Sequence, residues 1–192
     1  MLTKEKVASA LLRNRRVEIS QEVFPDFLRA AVLVPLFPER GDLSVILTVR
    51  TNDVETHKGQ ISFPGGTRDE SDADSTHTAV RELEEELGIA PTKVEILGLL
   101  DDLATPTGFI ITPVIGYMEE EPQVTPNRSE VAETIVVSLS FFADEKNARW
   151  EMGDRDGSRM KVWFYQYGEY LIWGATAAII RNLIEVVAIE NA

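Results

Sequence analysis

Glu82, Glu85 and Glu86 are spaced to share one face of a helix, at i, i+3 and i+4. Like charges at that spacing repel by about a few tenths of a kcal/mol per pair. Arg81 can reach Glu85 at i+4 but cannot neutralise the whole cluster. A divalent cation over the three would turn repulsion into attraction. Hard cations such as Mg²⁺ prefer carboxylate oxygens and bridge a protein to the phosphates of a substrate. Alone, such a run reads first as the solvated face of an amphipathic helix. Its context changes that reading, because Phe63-Pro64-Gly65-Gly66 lies upstream, and a glycine pair lets backbone approach a ligand closely.

The element that must carry the carboxylates is a helix from Thr78 to Leu87, rich in helix formers and stopped by Gly88. Val80, Leu83 and Leu87 form its apolar stripe. Asp69, Glu70, Asp72 and Asp74 crowd the loop before it. They lack the glycine and distal glutamate of an EF-hand, and the helix dipole alone accounts for acidic residues there.

The segment from Gly65 to Ile89 resembles the Nudix box, a glycine followed at fixed distance by R-E-hydrophobic-X-E-E-X-G-hydrophobic. Arg81-Glu82-Leu83-Glu84-Glu85-Glu86-Leu87-Gly88-Ile89 matches that part completely. The resemblance implies metal ligation by Glu82, Glu85 and Glu86, oriented by Arg81. It also implies Mg²⁺ or Mn²⁺ as cofactor, with the backbone of Gly66 completing the coordination. Between Gly66 and Arg81 the chain has one residue more than the family's usual 13, and the expected glutamate position holds Ala73.

Upstream, Ile46-Leu47-Thr48-Val49-Arg50-Thr51, then Gly59-Gln60-Ile61-Ser62-Phe63-Pro64-Gly65-Gly66, is similar to the signature of the coenzyme A pyrophosphatase branch. The longer box spacing fits the same branch. Thr51 stands where Ser or Ala is usual, and Glu55 where an arginine is usual; His57 and Lys58 are the cations nearest that reversed charge. The resemblance makes Arg50, Lys58, Gly59, Gln60, Phe63 and Gly65 the candidate substrate-binding residues. A segment resembling N-x-x-E-V at Asn127 to Val131 offers Glu130 as general base, with Glu133 also able to face the cluster. The expected reaction cleaves the diphosphate of coenzyme A or a derivative into 3′,5′-ADP and 4′-phosphopantetheine. The alternatives are a Nudix enzyme acting on ADP-ribose, NADH or a dinucleoside polyphosphate, and a non-catalytic nucleotide sensor. Three retained box glutamates favour an enzyme.

The remaining chain must hold this site. At 192 residues and 44% hydrophobic it suits one domain, 1–192, with the family resemblance over about 28–188. A net charge of −13 disfavours nucleic acid and anionic membranes as partners, and the absence of cysteine rules out disulfides and thiolate metal sites. With no signal-like amino terminus and no long apolar run, the expected location is cytoplasmic. A short helix over 2–14 buries Val7, Ala10 and Leu11, and Arg13, Arg15 and Arg16 follow as a solvated cluster. Ala30–Phe37 and Leu43–Arg50 read as a hairpin, and Val94–Leu100 and Ile110–Met118 as further strands, with Pro113 pointing to an edge or bulge. Asp101 and Asp102 read equally as pocket or turn residues. Asp156-Gly157 fits a turn between two more strands, and aromatics from Trp163 to Tyr167 alternate faces as core. The apolar helix Trp173–Ile189 packs on the sheet or on another subunit, leaving room for a homodimer. The fold this implies is α/β: an α/β/α sandwich with a central mixed β-sheet.

Overall fold

The computed structural model describes residues 2–51, 59–155 and 158–188. Strands β1 (Leu28–Glu39) and β2 (Asp42–Arg50) form the expected hairpin. Arg40 and Gly41 join them at φ of 50° and 84°, the two left-handed residues that match a turn to the twist of its strands. The pair holds together only near this turn, from Leu36↔Val45 to Glu39↔Asp42. Beyond it the strands splay. Into the gap come β3 (Ile61–Ser62), which pairs with β2, and β4 (Gly65–Thr67), which pairs with β1. The Phe63-Pro64 link is tied to β1 by Leu33 N donating to the Pro64 carbonyl at 2.9 Å. The glycine-bearing segment is thus a wedge in the sheet.

On its other side β1 runs parallel to β7 (Phe109–Tyr117), while β5 (Glu95–Leu99) and β6 (Leu103–Ala104) pair antiparallel with β7. Strand β8 (Val131–Ser138) lies antiparallel on β2. Helix α2 (Ser75–Leu87) covers one face of this mixed sheet, burying Ala79, Leu83 and Leu87 against Ala31, Leu33, Phe37, Ile46 and Val114. The other face, with Val34, Leu36, Val45 and Leu47, meets α1 (Lys4–Arg13), α3 (Leu139–Ala143) and α4 (Gly174–Ala188). Each fully buried leucine or valine contributes about 1.5–3 kcal/mol to holding these layers together. This is the expected α/β/α arrangement. Among the described residues no helix is long and apolar enough to cross a membrane.

Four details add to the sequence reading or depart from it. First, β9 (Ala148–Arg155), β10 (Ser158–Tyr167) and β11 (Tyr170–Trp173) form a separate antiparallel sheet, a partition the sequence reading did not address. Its alternation is as read, with Tyr165 fully buried and Phe164 on the opposite face stacked on Trp173. The Asp156-Gly157 turn lies outside the described residues. Second, Pro113 sits in an interior strand. Its carbonyl accepts from Leu100 N at 3.0 Å, just where the partner of β7 changes from β5 to β6, so no regular ladder bond is lost there. Third, of the two packings left open for α4 the structure shows the one on its own sheets, with Ala177, Ile180, Leu183 and Val187 buried in the cluster that holds Val7, Tyr165 and Ile172. Fourth, Arg16 is no solvated residue. It donates to Asp102 at 2.6 Å, and Asp102 also receives Arg29, Ile19 N and Thr112. Asp102 is therefore a buried anchor that straps the segment after α1 to the sheet.

Candidate metal and diphosphate site

Helix α2 begins three residues earlier than its apolar pattern suggests, because Asp74 caps it by accepting from His77 N at 2.9 Å. It ends at Gly88, left-handed with φ of 67°. This frame sets the three glutamates at graded depths. Glu85 lies on the exposed side, Glu82 is half-buried, and Glu86 is only 4% exposed, in line with Ala79 and Leu83. Val80, assigned to the inner stripe from sequence, is only half-buried; Ala79 and Glu86 take the inward positions.

A carboxylate at such a depth must be compensated. Burial pushes the Glu86 pKa up to about 8, against the opposing charge of Arg50 and with the help of Glu82 and Glu130. The Gly65 backbone N–H pulls weakly the other way. Its Oε2 is buried with no hydrogen-bond partner. Burial likewise raises the Glu82 pKa, and Arg81 resists the shift.

Arg81 grips the cluster from the side. Its Nη1 donates to Glu82 at 2.9 Å and to Glu85 at 3.0 Å. Its other edge forms a fork on Asp72, Nε to Oδ1 at 3.1 Å and Nη2 to Oδ2 at 3.0 Å. Asp72 has a fully buried side chain, takes a further bond from Asp69 N, and is held by Arg81 well below the usual carboxylate range. Reading the loop as generic helix-start acidity missed this. Counting back from Arg81 lands on Ala73, whereas counting forward from Gly66 reaches Asp72. The extra residue therefore lies between Asp72 and Arg81.

The glycines are explained by what they touch. A Cβ on Gly66 would lie 2.5 Å from Glu82 Oε1, so this residue is the floor on which that carboxylate rests. A Cβ on Gly65 would instead meet the backbone of β1, 2.6 Å from the Val32 Cα. The two substitutions should therefore part company. Gly66→Ala displaces a flexible carboxylate and should lower hydrolysis at least about tenfold with a melting temperature near that of wild type. Gly65→Ala forces β4 off β1 and should cost about 1–3 kcal/mol in denaturant unfolding. Equal loss of stability in both would show that Gly66 serves the fold.

Arg50 ends β2 on the α2 side of the sheet, and its Nε is buried without a hydrogen-bond partner. Gly59 N donates back to the Arg50 carbonyl at 3.2 Å, and Arg50 N donates to Gln60 at 3.0 Å. Through these backbone bonds Gly59, at φ of 66°, and Gln60 close a loop. Phe63 is 2% exposed within the core cluster on the α4 side, which favours a packing role for it. Lys58, with Glu55 and His57, lies outside the described residues.

Glu130 enters from the loop before β8. Thr125 N donates to the Leu87 carbonyl and Asn127 N to that of Glu86, at 2.7 and 2.8 Å, so this loop caps the end of the glutamate helix. Thr51 N then holds the Glu130 carbonyl at 2.9 Å, and Asn127 Nδ2 donates to Glu130 Oε1 at 3.1 Å. The charge of Glu130 is felt by both Glu82 and Glu86. Glu133 points to the opposite face, where Tyr170 donates to it at 3.1 Å.

The donor set suits a hard divalent cation: three carboxylates, one of them buried with a partnerless oxygen. Among the described residues no three acidic or imidazole groups already converge on an ion-sized gap. Glu82 and Glu85 are turned to Arg81, whose guanidinium occupies the place of a counter-ion.

Comparison with known proteins gives a consistent picture. Residues 27–164 match the NUDIX domain family. An uncharacterized Nudix hydrolase, NudL, from Photorhabdus laumondii is 36% identical over 160 residues, covering 83% of this chain and 85% of that protein. The NudL protein of Escherichia coli K12 is 35% identical over 170 residues, 88% of this chain and 86% of its own length. Nudix hydrolase 22 of Arabidopsis thaliana is 37% identical over 83% of this chain, which spans only 55% of that plant protein. Among solved structures, the Nudix hydrolase RenU of M. smegmatis superposes with a TM-score of 0.51 at 28% identity, over 61% of this chain and 74% of that one. The MutT protein of Methanosarcina mazei shares the fold, with a TM-score of 0.53 at 19% identity over 85% and 94% of the two chains.

Proposed function

The chain belongs to the NUDIX family of hydrolases, which act on pyrophosphate bonds, and from that premise we propose that its substrate is the diphosphate of coenzyme A or a close derivative. One observation supports this reading above others. The sheet wedge carrying Phe63-Pro64-Gly65-Gly66 and the strand end carrying Arg50, both parts of the branch signature, flank the same buried Glu86.

Enzymes of this family use divalent cations, and Glu82, Glu85 and Glu86, with the Gly66 backbone, are the groups that would hold Mg²⁺ or Mn²⁺ here. Such an ion neutralises a diphosphate and lowers the pKa of a coordinated water. The remaining work falls to the chain itself. Arg81, fixed by Asp72, holds Glu82 and Glu85 in place. Arg50 offers a guanidinium to a phosphate oxygen from the side of Glu86. Glu130 takes the proton of the attacking water as its oxygen adds to phosphorus, and the bridging oxygen leaves with the second phosphate.

Because the charge of Arg50 bears on Glu86, it is placed for the scissile diphosphate and serves every substrate. Selection of the 3′-phosphate of coenzyme A then falls to another cation, for which Lys58 is the candidate. A charge-assisted contact to a phosphate contributes about 1.5–3 kcal/mol, roughly ten- to a hundredfold in preference. In a panel of diphosphates, kcat/KM should be highest for coenzyme A, above 3′-dephospho-coenzyme A and ADP-ribose, with 3′,5′-ADP and 4′-phosphopantetheine identified by mass spectrometry. Lys58→Ala should erode the preference over the dephospho form, whereas Arg50→Ala should lower all rates together. Faster cleavage of ADP-ribose or NADH would overturn the coenzyme A assignment and leave the family's chemistry in place.

A further inference from the structure

The small sheet ends in β9, an edge strand with no partner on its outer side among the described residues. Edge strands in monomers are usually short, bulged or blunted by proline or inward charge. This one runs from Ala148 to Arg155 without proline, and its side chains are exposed from Arg149 to Met152. Trp150 is 47% exposed and Met152 49%, both on the face that carries Trp163 and Tyr165. Lys161 lies 4.5 Å above the ring of Trp150, while Arg181 of α4 covers Trp163 farther in.

The charges along this edge are arranged as a palindrome. Arg149 and Glu151 flank Trp150 on the other face and pair with each other at 2.5 Å, and the Arg149 guanidinium also lies 4.3 Å over the Phe164 ring. If a second copy lies antiparallel along β9, related by a two-fold axis normal to the sheet, residues keep their faces only in every second register. The dyad can then pass through Arg149, Trp150 or Glu151. The first register sets Arg149 against itself and the third sets Glu151 against itself. Only the middle one places Arg149 opposite Glu151 of the other copy, twice over, with Trp150 facing Trp150 across the axis. Extending that register beyond the strand also sets Lys146 opposite Asp154.

We infer that β9 is a self-association edge: two copies of this chain join their three-stranded sheets through antiparallel β9 strands centred on Trp150. The backbone groups of the edge provide the ladder. The Arg149–Glu151 pairs select the register, and the exposed Trp150 and Met152 are buried between the copies. Nothing in the glutamate site takes part, so association and hydrolysis are separable.

The test is a set of charge reversals followed by sedimentation and by light scattering on a sizing column. Wild type should show a concentration-dependent dimer. Arg149→Glu alone and Glu151→Arg alone each oppose like charges twice across the axis and should raise the dissociation constant at least about tenfold. Both single variants should keep the wild-type hydrolytic rate, and any fall in melting temperature from losing the Arg149 contact with Phe164 should persist in the double variant while dimerisation returns. The double variant R149E/E151R should dimerise again, and an equimolar mixture of the two single variants should form a mixed dimer. A monomeric wild type would overturn the inference, as would a dimer indifferent to both single reversals or one that the double reversal does not restore.

Discussion

Glu86→Gln is expected to lower kcat at least about a hundredfold, the effect of losing one ligand of a transition-state-stabilising cation. The same change should leave the cation-free protein no less stable than wild type, and more stable at higher pH. The sign follows from burial. Folding raises the Glu86 pKa from its ordinary 4.5 to about 8, so the folded state holds a proton that the unfolded chain has released. That contribution is fully present at acid pH and is lost as pH rises through about 8. In a chelator, the melting temperature of wild type should fall relative to that of Glu86→Gln across this window. Added Mg²⁺ should reverse the order, because binding to the folded state stabilises wild type more. Full activity in the variant would reduce the cluster to a polar helix face.

Glu130→Gln should lower kcat by about 10²–10⁴-fold, the range for removal of a general base. KM and the stabilisation by Mg²⁺ should change little, since Glu130 belongs to the loop that caps the helix and is not one of its glutamates. Loss of the base should also flatten the acidic limb of the pH–rate profile. The glutamine keeps the bond from Asn127 Nδ2, so a fall in activity cannot be ascribed to collapse of the loop. An unchanged pH profile would pass the base role to a box glutamate.

Much of this arrangement was legible in the sequence, where periodicity and local chemistry decide it. The Leu83/Leu87 stripe and Gly88 stop fix the helix, and the apolar runs fix β1, β2 and β7. What escaped depends on distant groups. Glu86 looks like its neighbours in sequence, and only the fold reveals that one glutamate in three points inward. Asp72 could be recognised as the partner of Arg81 only by counting from the glycine end, since the insertion hides it from the arginine end. Phe63 lies in the branch signature, but alternation along β3 and its link carries its ring into the core on the α4 side. The second sheet was hidden because nothing local to β9–β11 forbids them from joining the first.

The doubled closure at Arg50 bears on how this molecule can change over time. Arg50 N to Gln60 O and Gly59 N to Arg50 O pin both ends of the intervening loop at the mouth of the site, and Thr51 is further clamped to Ser129 and Glu130. The backbone at Arg50 and Thr51 is thereby tied to the loop that caps the glutamate helix. Exchanging residues 52–58 with those of a relative is therefore expected to change substrate preference more than turnover, because the flanking bonds keep Arg50 and Glu130 in place.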